Sequence, residues 1–130
     1  MTKRKPTVLT TVEIDAQSDV ASAMKKGKGV ILTLHIDDDI VDFKGHFPQQ
    51  PILPGVTQID WAIYYAAGLL GAPTQFMGME VIKFQNAILP NLRLQLHLSW
   101  LAEKNKLYFH YLSADGVHSS GRILLGENNG

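Results

Sequence analysis

From Val56 to Leu70 the chain runs without a proline, and apolar residues recur at Val56, Ile59, Ile63, Ala67 and Leu70. That is the spacing of one helical face. Pro54 and Gly55 stand where such a helix would begin, and Gly71, Ala72 and Pro73 where it would stop. The chain around it reads as strands. Thr7 to Ile14 is rich in β-branched residues, and Gly29 to Ile36 alternates towards its end. After the helix come Gln75–Phe84, Leu92–Leu101, Leu107–Ala114 and Val117–Leu125, with turns at Asn91, Lys104–Asn105 and Asp115–Gly116. In LRLQLHLSWL, leucine alternates with Arg93, Gln95, His97 and Ser99, which gives one buried face and one wetter face. One apolar helix among five or six mostly antiparallel strands predicts an α+β fold, a sheet curled around a helix.

A chain of 130 residues fits one domain spanning 1–130, with residues 1–6 expected as a flexible tail. Ala16 to Met24 is ambiguous between a helical turn and a loop. Lys25, Lys26 and Lys28 form a glycine-containing basic turn, read as a solvated turn or as a docking point for an acidic partner. Asp37–Asp39 reads as a turn, with Ile40 and Phe43 anchoring the connection that follows. An apolar fraction of 45% with 18% charged residues marks a globular chain. Formal net charge is zero, so no global field favours nucleic acid or an anionic membrane. With no cysteine there is no disulfide framework, thiol nucleophile or thiolate metal site. No run reaches membrane-spanning length, and TKRKP leads into no apolar signal region, so the cytoplasm is the expected compartment. His35, His97, His110 and His118 lack metal-ligand spacing, and no metal is expected. Nor is there a serine-hydrolase elbow or a nucleotide fingerprint.

The stretch GHFPQQPILPGVTQIDWA concentrates the candidate chemistry. Pro48, Pro51 and Pro54 each fix φ and bias the preceding residue to extended backbone, so His46 sits on a stiff loop. Gly55 leaves the first amides of the helix open to another molecule, a ready place for negative charge developing on oxygen. Asp60 lies four residues after Val56 and three before Ile63, which predicts that it points into the apolar stripe. A carboxyl group there is desolvated and its pKa raised, so it is able to donate a proton. Taken singly, His46 fits a solvated loop histidine, Asp60 a satisfied structural group and Gly55 an ordinary helix-start glycine. Their combination with the proline spacing points to a base, an electrophilic amide and an acid in one site.

The string HFPQQPILPGVTQID resembles the signature of the 3-hydroxyacyl-[acyl carrier protein] dehydratases of the hot-dog fold. Their pattern runs His-Phe-x-Gly-x-Pro-x-x-Pro-Gly, with an acid five residues beyond the last glycine. His46, Phe47, Pro51, Pro54, Gly55 and Asp60 fall on matching positions, while Gln49 stands where glycine is usual. The phrases GVTQIDWA, FMGMEVIKFQNAILPNLRLQL and DGVHSSGRILL are similar to the dehydratase subfamily of aryl polyene pigment clusters. The resemblance implies a hot-dog fold and elimination of water from a 3-hydroxyacyl thioester to give the trans-2-enoyl product. It also implies a substrate carried on the phosphopantetheine of acyl carrier protein, with no other cofactor. It implies a homodimer with shared active sites as well, His46 of one chain facing Asp60 of the other, or a heteromer with a related dehydratase subunit.

Expected roles follow. Gly55 N–H polarises the thioester carbonyl, His46 removes the α-proton and Asp60 assists departure of the hydroxyl, the division between the last two staying open. Expected substrate contacts are Phe47, Ile52, Pro54, Val56 and Trp61. Tyr64, Tyr65 and Phe76 read as acyl-tunnel lining or as plain core, and Lys83 and Arg122 as carrier contacts or as surface charges. Two other functions fit part of the pattern: a hot-dog acyl thioesterase, and a non-catalytic subunit binding acyl chains or carrier protein.

Overall fold

A computed structural model describes residues 3–14, 28–44 and 51–127. Strands β1 (Thr7–Ile14) and β2 (Lys28–His35) precede helix α1 (Gly55–Leu70). Strands β3 (Gln75–Phe84), β4 (Arg93–Leu101), β5 (Lys106–Ser113) and β6 (Gly116–Gly126) follow it. The strands form one antiparallel sheet in the order β1-β2-β4-β5-β6-β3. The helix lies across its inner face against β2, β4 and β5. This is the hot-dog arrangement. Among the described residues, no helix is long and apolar enough to cross a membrane.

Strand alternation decides which face curls inward. Leu94, Leu96 and Leu98 of β4 and Leu107, Phe109 and Tyr111 of β5 are buried against the helix. Arg93 and Gln95 stay exposed on the opposite face. Val30, Leu32 and Leu34 of β2 add a third buried row, and burying each large side chain contributes about 1.5–3 kcal/mol. Ser99, expected on the wetter face, is buried instead, with Gly29 and Tyr108 as its cross-strand neighbours. Ile40 and Phe43 anchor the connection after β2, both buried. The expected turn residues Asn91, Asn105 and Gly116 all have positive φ, where Asn and Gly cost least.

The helix ends as its punctuation dictates. Gly71 adopts φ 70 at the C-cap, and the Ala72 amide reaches back to the Ala66 carbonyl, a left-handed cap. The face that meets the sheet differs from expectation. Gln58, Trp61, Ala62, Tyr65, Ala66 and Leu70 are buried, whereas Ile59, Ile63 and Ala67 are only partly covered and Val56 is 75% exposed. Ala62 and Ala66 carry only a methyl group, which lets the helix backbone approach the leucine rows. Val56, Ile59, Ile63 and Ala67 form a second apolar face, partly covered and most exposed at Val56.

Residues 3–6 are not a free tail. The Val41 amide donates to the Lys3 carbonyl (2.8 Å), the Trp61 indole N–H donates to the Arg4 carbonyl (3.1 Å), and Pro6 is buried. Lys3 Nζ also pairs with Asp37 at 3.3 Å. Burial works to raise the Asp37 pKa, but hydrogen bonds from Thr7 and Lys3 overcome it and hold the carboxyl below its usual value. The partners lie far along the chain, so local composition could not reveal them. Residues 15–27, with the ambiguous Ala16 to Met24 segment and the basic pair Lys25 and Lys26, lie outside the described residues. Lys28 is the exposed first residue of β2.

On the outer face His97 and His110 are direct cross-strand partners. Burial holds both imidazoles below their ordinary pKa of 6.5, and for His97 the neighbouring His110 adds to the effect. A depressed folded-state pKa means that the unfolded chain takes up protons first, so stability is present above about pH 6.5 and is lost as pH falls below it. Thermal melts between about pH 5 and 8 should show Tm dropping on the acid side. His110→Gln should flatten that slope, and an unchanged slope would contradict this reading.

Strand β3 forms one edge of the sheet and is irregular. Its register with β6 shifts twice, between Phe76 and Gly78 and between Glu80 and Lys83. Val81 takes φ 52, uncommon for a β-branched residue. The second bulge turns Ile82 onto Gly121, where a Cβ would collide with the Ile82 side chain. Phe76, Met77, Met79, Val81 and Phe84 all remain exposed on or beside this edge.

Candidate active site

The site is built around the start of α1. Pro54 occupies the N-cap with φ −60 and offers no side-chain cap. Its carbonyl accepts from the Thr57 and Gln58 amides, at 3.1 and 3.2 Å. Among the described residues no acceptor meets the N–H of Gly55 or Val56, as is usual for the first amides of a helix, and these N–H groups form its positive end. A Cβ on Gly55 would lie 2.7 Å from Phe84 Cζ. Glycine thus lets the Phe84 ring rest close against the helix start. Ile52, Pro54, Gly55, Phe84 and Asn86 help to line a pocket of about 420 Å³ at this end of the helix.

A buried polar network holds the helix start in place. Thr57 Oγ1 donates to Asp42 (2.7 Å). Gln58 Nε2 donates to the Leu53 carbonyl (3.2 Å), and Ser119 Oγ donates to Gln58 Oε1 (2.6 Å). The Tyr111 hydroxyl donates to the Gln58 main-chain carbonyl (2.7 Å). Burial, then the nearby Tyr65 and Asp60, push the Tyr111 phenol well above its usual pKa, so it stays a donor. His118 fixes the far wall. Its Nδ1 faces the Ala87 carbonyl at 3.2 Å and so carries the proton, which leaves Nε2 to accept from Ser113 Oγ at 2.7 Å. The His118 carbonyl in turn accepts from the amides of Gln85 and Asn86. Phe84, Gln58, Ser119, Tyr111 and His118 were not singled out in the sequence as site residues. Gln58 left a trace there: it is a polar residue three and four positions before Trp61 and Ala62 on the face that becomes buried.

The expected site residues divide. Gly55, Ile52 and Pro54 line the pocket. His46 and Phe47 lie outside the described residues. Asp60 is exposed, which corrects the expectation of a carboxyl desolvated by its own chain: it sits on the open stripe beside Val56 and Tyr64. Trp61, expected against substrate, is buried in the core with its indole N–H committed to Arg4. Val56 is on the uncovered face. Tyr65 is buried, and burial with the adjacent Tyr64 pushes its pKa up to about 12. Tyr64 is exposed under the Lys5 ammonium, 4.4 Å from the ring centre, and Phe76 lies on the β3 edge. Arg122 stacks near Tyr108 and approaches Glu80 at 3.9 Å on the outer face, away from the pocket. Lys83 is an exposed residue of β3.

The family model for the ApeI-like group, described as ApeI dehydratase, matches residues 22–122. The chain belongs to the ApeI-like dehydratase family. In structure this ApeI-like chain is similar to the dehydratase heterocomplex ApeI:P from Xenorhabdus doucetiae, with TM-score 0.77 and 33% identity over 92% of this chain and 96% of that one. An uncharacterized protein from Erwinia carotovora subsp. atroseptica superposes with TM-score 0.76 and 40% identity over 95% and 98%. Among curated proteins, 3-hydroxyacyl-[acyl-carrier-protein] dehydratase FabZ of Novosphingobium aromaticivorans is 37% identical over 95 residues, 65% of this chain and 54% of the relative. FabZ of Ruminiclostridium cellulolyticum is 32% identical over 94 residues, 66% of each chain. The ApeI-like chain thus spans about half to two thirds of the length of the curated relatives it matches.

Proposed function

We propose that this chain is a 3-hydroxyacyl-[acyl carrier protein] dehydratase that removes water from the thioester to leave the trans-2-enoyl product. The observation that carries this reading is Gly55, the first residue of the helix, lining a pocket with no acceptor for its amide among the described residues, and a carboxyl group a little over one turn further along the same helix. The FabZ relatives' activity and the ApeI-like family support it.

The α-proton of a thioester is far less acidic than any side chain, and hydroxide is a poor leaving group. Hydrogen bonding of the carbonyl oxygen by Gly55 N–H stabilises the enolate-like charge, a contribution of about 3 kcal/mol per donor. His46 takes the α-proton, and the C–H electrons become the new double bond. The C3–O bond breaks as the hydroxyl accepts a proton from Asp60 and leaves as water. No cofactor is needed beyond the carrier's phosphopantetheine arm.

Asp60 must be un-ionised for this role, and its own chain leaves it in solvent. A second subunit is the remedy. Exposed Val56, Tyr64 and Leu69 of the helix and the apolar β3 edge are surfaces that a partner would cover. In the proposed homodimer, each cover desolvates one Asp60 and brings it to the partner's His46. A related dehydratase subunit in place of the second copy gives the same geometry, and the relative described as the heterocomplex ApeI:P supports partner-dependent assembly. The substrate class we propose is an aryl-polyenyl or fatty-acid-like 3-hydroxyacyl chain.

The test is incubation with 3-hydroxyacyl and aryl-polyenyl carrier-protein thioesters, followed by mass spectrometry. Loss of one water without release of free thiol is expected. Thiol release would indicate a thioesterase, and binding without turnover a non-catalytic subunit. Either result would overturn the proposal.

A further inference from the structure

We infer that Gln58 is a positioning residue: its side-chain amide sets where the first amide of α1 meets the thioester carbonyl. The inference rests on the function proposed above and names a residue for which that reading has no use. Gln58 is only 4% exposed, buried with Thr57 at the head of a face that continues through Trp61, Ala62, Tyr65, Ala66 and Leu70. A buried carboxamide costs stability unless its donors and acceptor are matched, and a leucine of similar size would fill the space without that demand. What the amide adds is a tie between three elements.

Its orientation is fixed by chemistry. The Leu53 carbonyl can only accept, so Nε2 faces it, and Oε1 must then face the Ser119 hydroxyl. The Leu53 N–H is taken by the Ile88 carbonyl at 2.9 Å, so the residue before Pro54 is held from both sides. Pro54 has no N–H, so no local bond through its nitrogen can hold that turn. The Tyr111 hydroxyl anchors the Gln58 carbonyl to β5. The Gly55 amide therefore hangs on Leu53 and Gln58, and through them on β5 and β6. A misplacement of about 1 Å in such a group can cost about 10²-fold in rate.

The test uses full-length Gln58→Leu and Gln58→Glu. Three quantities are read: kcat and KM for dehydration, Tm, and the infrared carbonyl stretch of a bound enoyl-pantetheine product. Gln58→Leu should lower kcat by about 10²-fold, with KM close to wild type, a moderate drop in Tm from the unpaired Leu53 carbonyl and Ser119 hydroxyl, and the stretch moved towards its value in water. Gln58→Glu supplies a second signature. Ionised, its carboxylate opposes the Leu53 carbonyl; protonated, it donates as the amide does. Its kcat relative to wild type should therefore rise as pH falls. Ser119→Ala and Tyr111→Phe each remove one bond and keep the shape, so they serve if Gln58→Leu does not fold; both should lower kcat in the same direction by less. Wild-type kcat in the soluble variants, or losses that track Tm with a flat pH ratio and an unmoved carbonyl stretch, would overturn the inference alone. A wild type that neither dehydrates nor shifts the carbonyl stretch would instead overturn the proposed function, and the inference with it.

Discussion

His46→Ala and Asp60→Asn should each reduce dehydration of a 3-hydroxyacyl thioester by about 10²–10⁴-fold, the range a positioned acid or base supplies. Asp60→Asn should leave the melting temperature close to wild type. Asp60 is exposed on its own chain and makes no described hydrogen bond or ion pair, so asparagine there removes proton donation and little packing. Steady-state kinetics beside thermal melts check both. A variant with near wild-type kcat would remove that residue from the chemistry, and a collapse of Tm would make its role structural. A non-catalytic binding subunit would bind acyl thioester equally well after either change, which separates the two classes of function.

Gly55→Ala should have the next largest effect, through a different route. The new methyl group lands 2.7 Å from the end of the Phe84 ring. That ring is about half exposed, so it can swing aside at small cost, and alanine is the better helix former by up to about 1 kcal/mol. Stability should therefore hold or rise slightly. Catalysis should not, because the methyl group crowds the approach to the one amide the carbonyl needs and the displaced ring moves within the pocket. A loss of 10- to 100-fold in kcat, about 1.4–2.7 kcal/mol, is expected with Tm unchanged. If the double variant Gly55→Ala, Phe84→Ala recovers part of that loss, the displaced ring carries that part. Unaltered kcat in Gly55→Ala would mean that the carbonyl is held elsewhere.

Much of the fold was legible because the punctuation is local. Pro54, Gly55, Gly71 and Pro73 bracket the helix, Asn91 and Asn105 mark turns that need positive φ, and the leucine alternation of β4 names its own inner face. The rotation of the helix was not legible. Val56, Ile59, Ile63 and Ala67 form as good an apolar stripe as Trp61, Ala62, Tyr65 and Ala66, and periodicity cannot say which of two apolar faces meets the sheet. The face that meets the sheet carries the two small residues Ala62 and Ala66, which permit a close approach, together with the large rings of Trp61 and Tyr65, which fill the space beside them. The same ambiguity misplaced Asp60 in the interior of its own chain and hid Gln58, a polar residue that is buried. Phe84 escaped notice for another reason: its approach to Gly55 is a contact between residues far apart in the chain, at the end of a strand whose bulge near Val81 leaves no mark in an alternation pattern.

A helix with two apolar faces and an acid on the open one is the physical core of this account. In the dimer proposed above, a partner covers Asp60 and supplies His46. Co-expressing the inactive His46→Ala and Asp60→Asn chains measures this directly. If each site is shared, half of randomly formed dimers are mixed and each mixed dimer holds one intact site, so about a quarter of wild-type activity should return. Activity that stays at the background of the separate variants, in preparations where mixed dimers are shown to form, would contradict it.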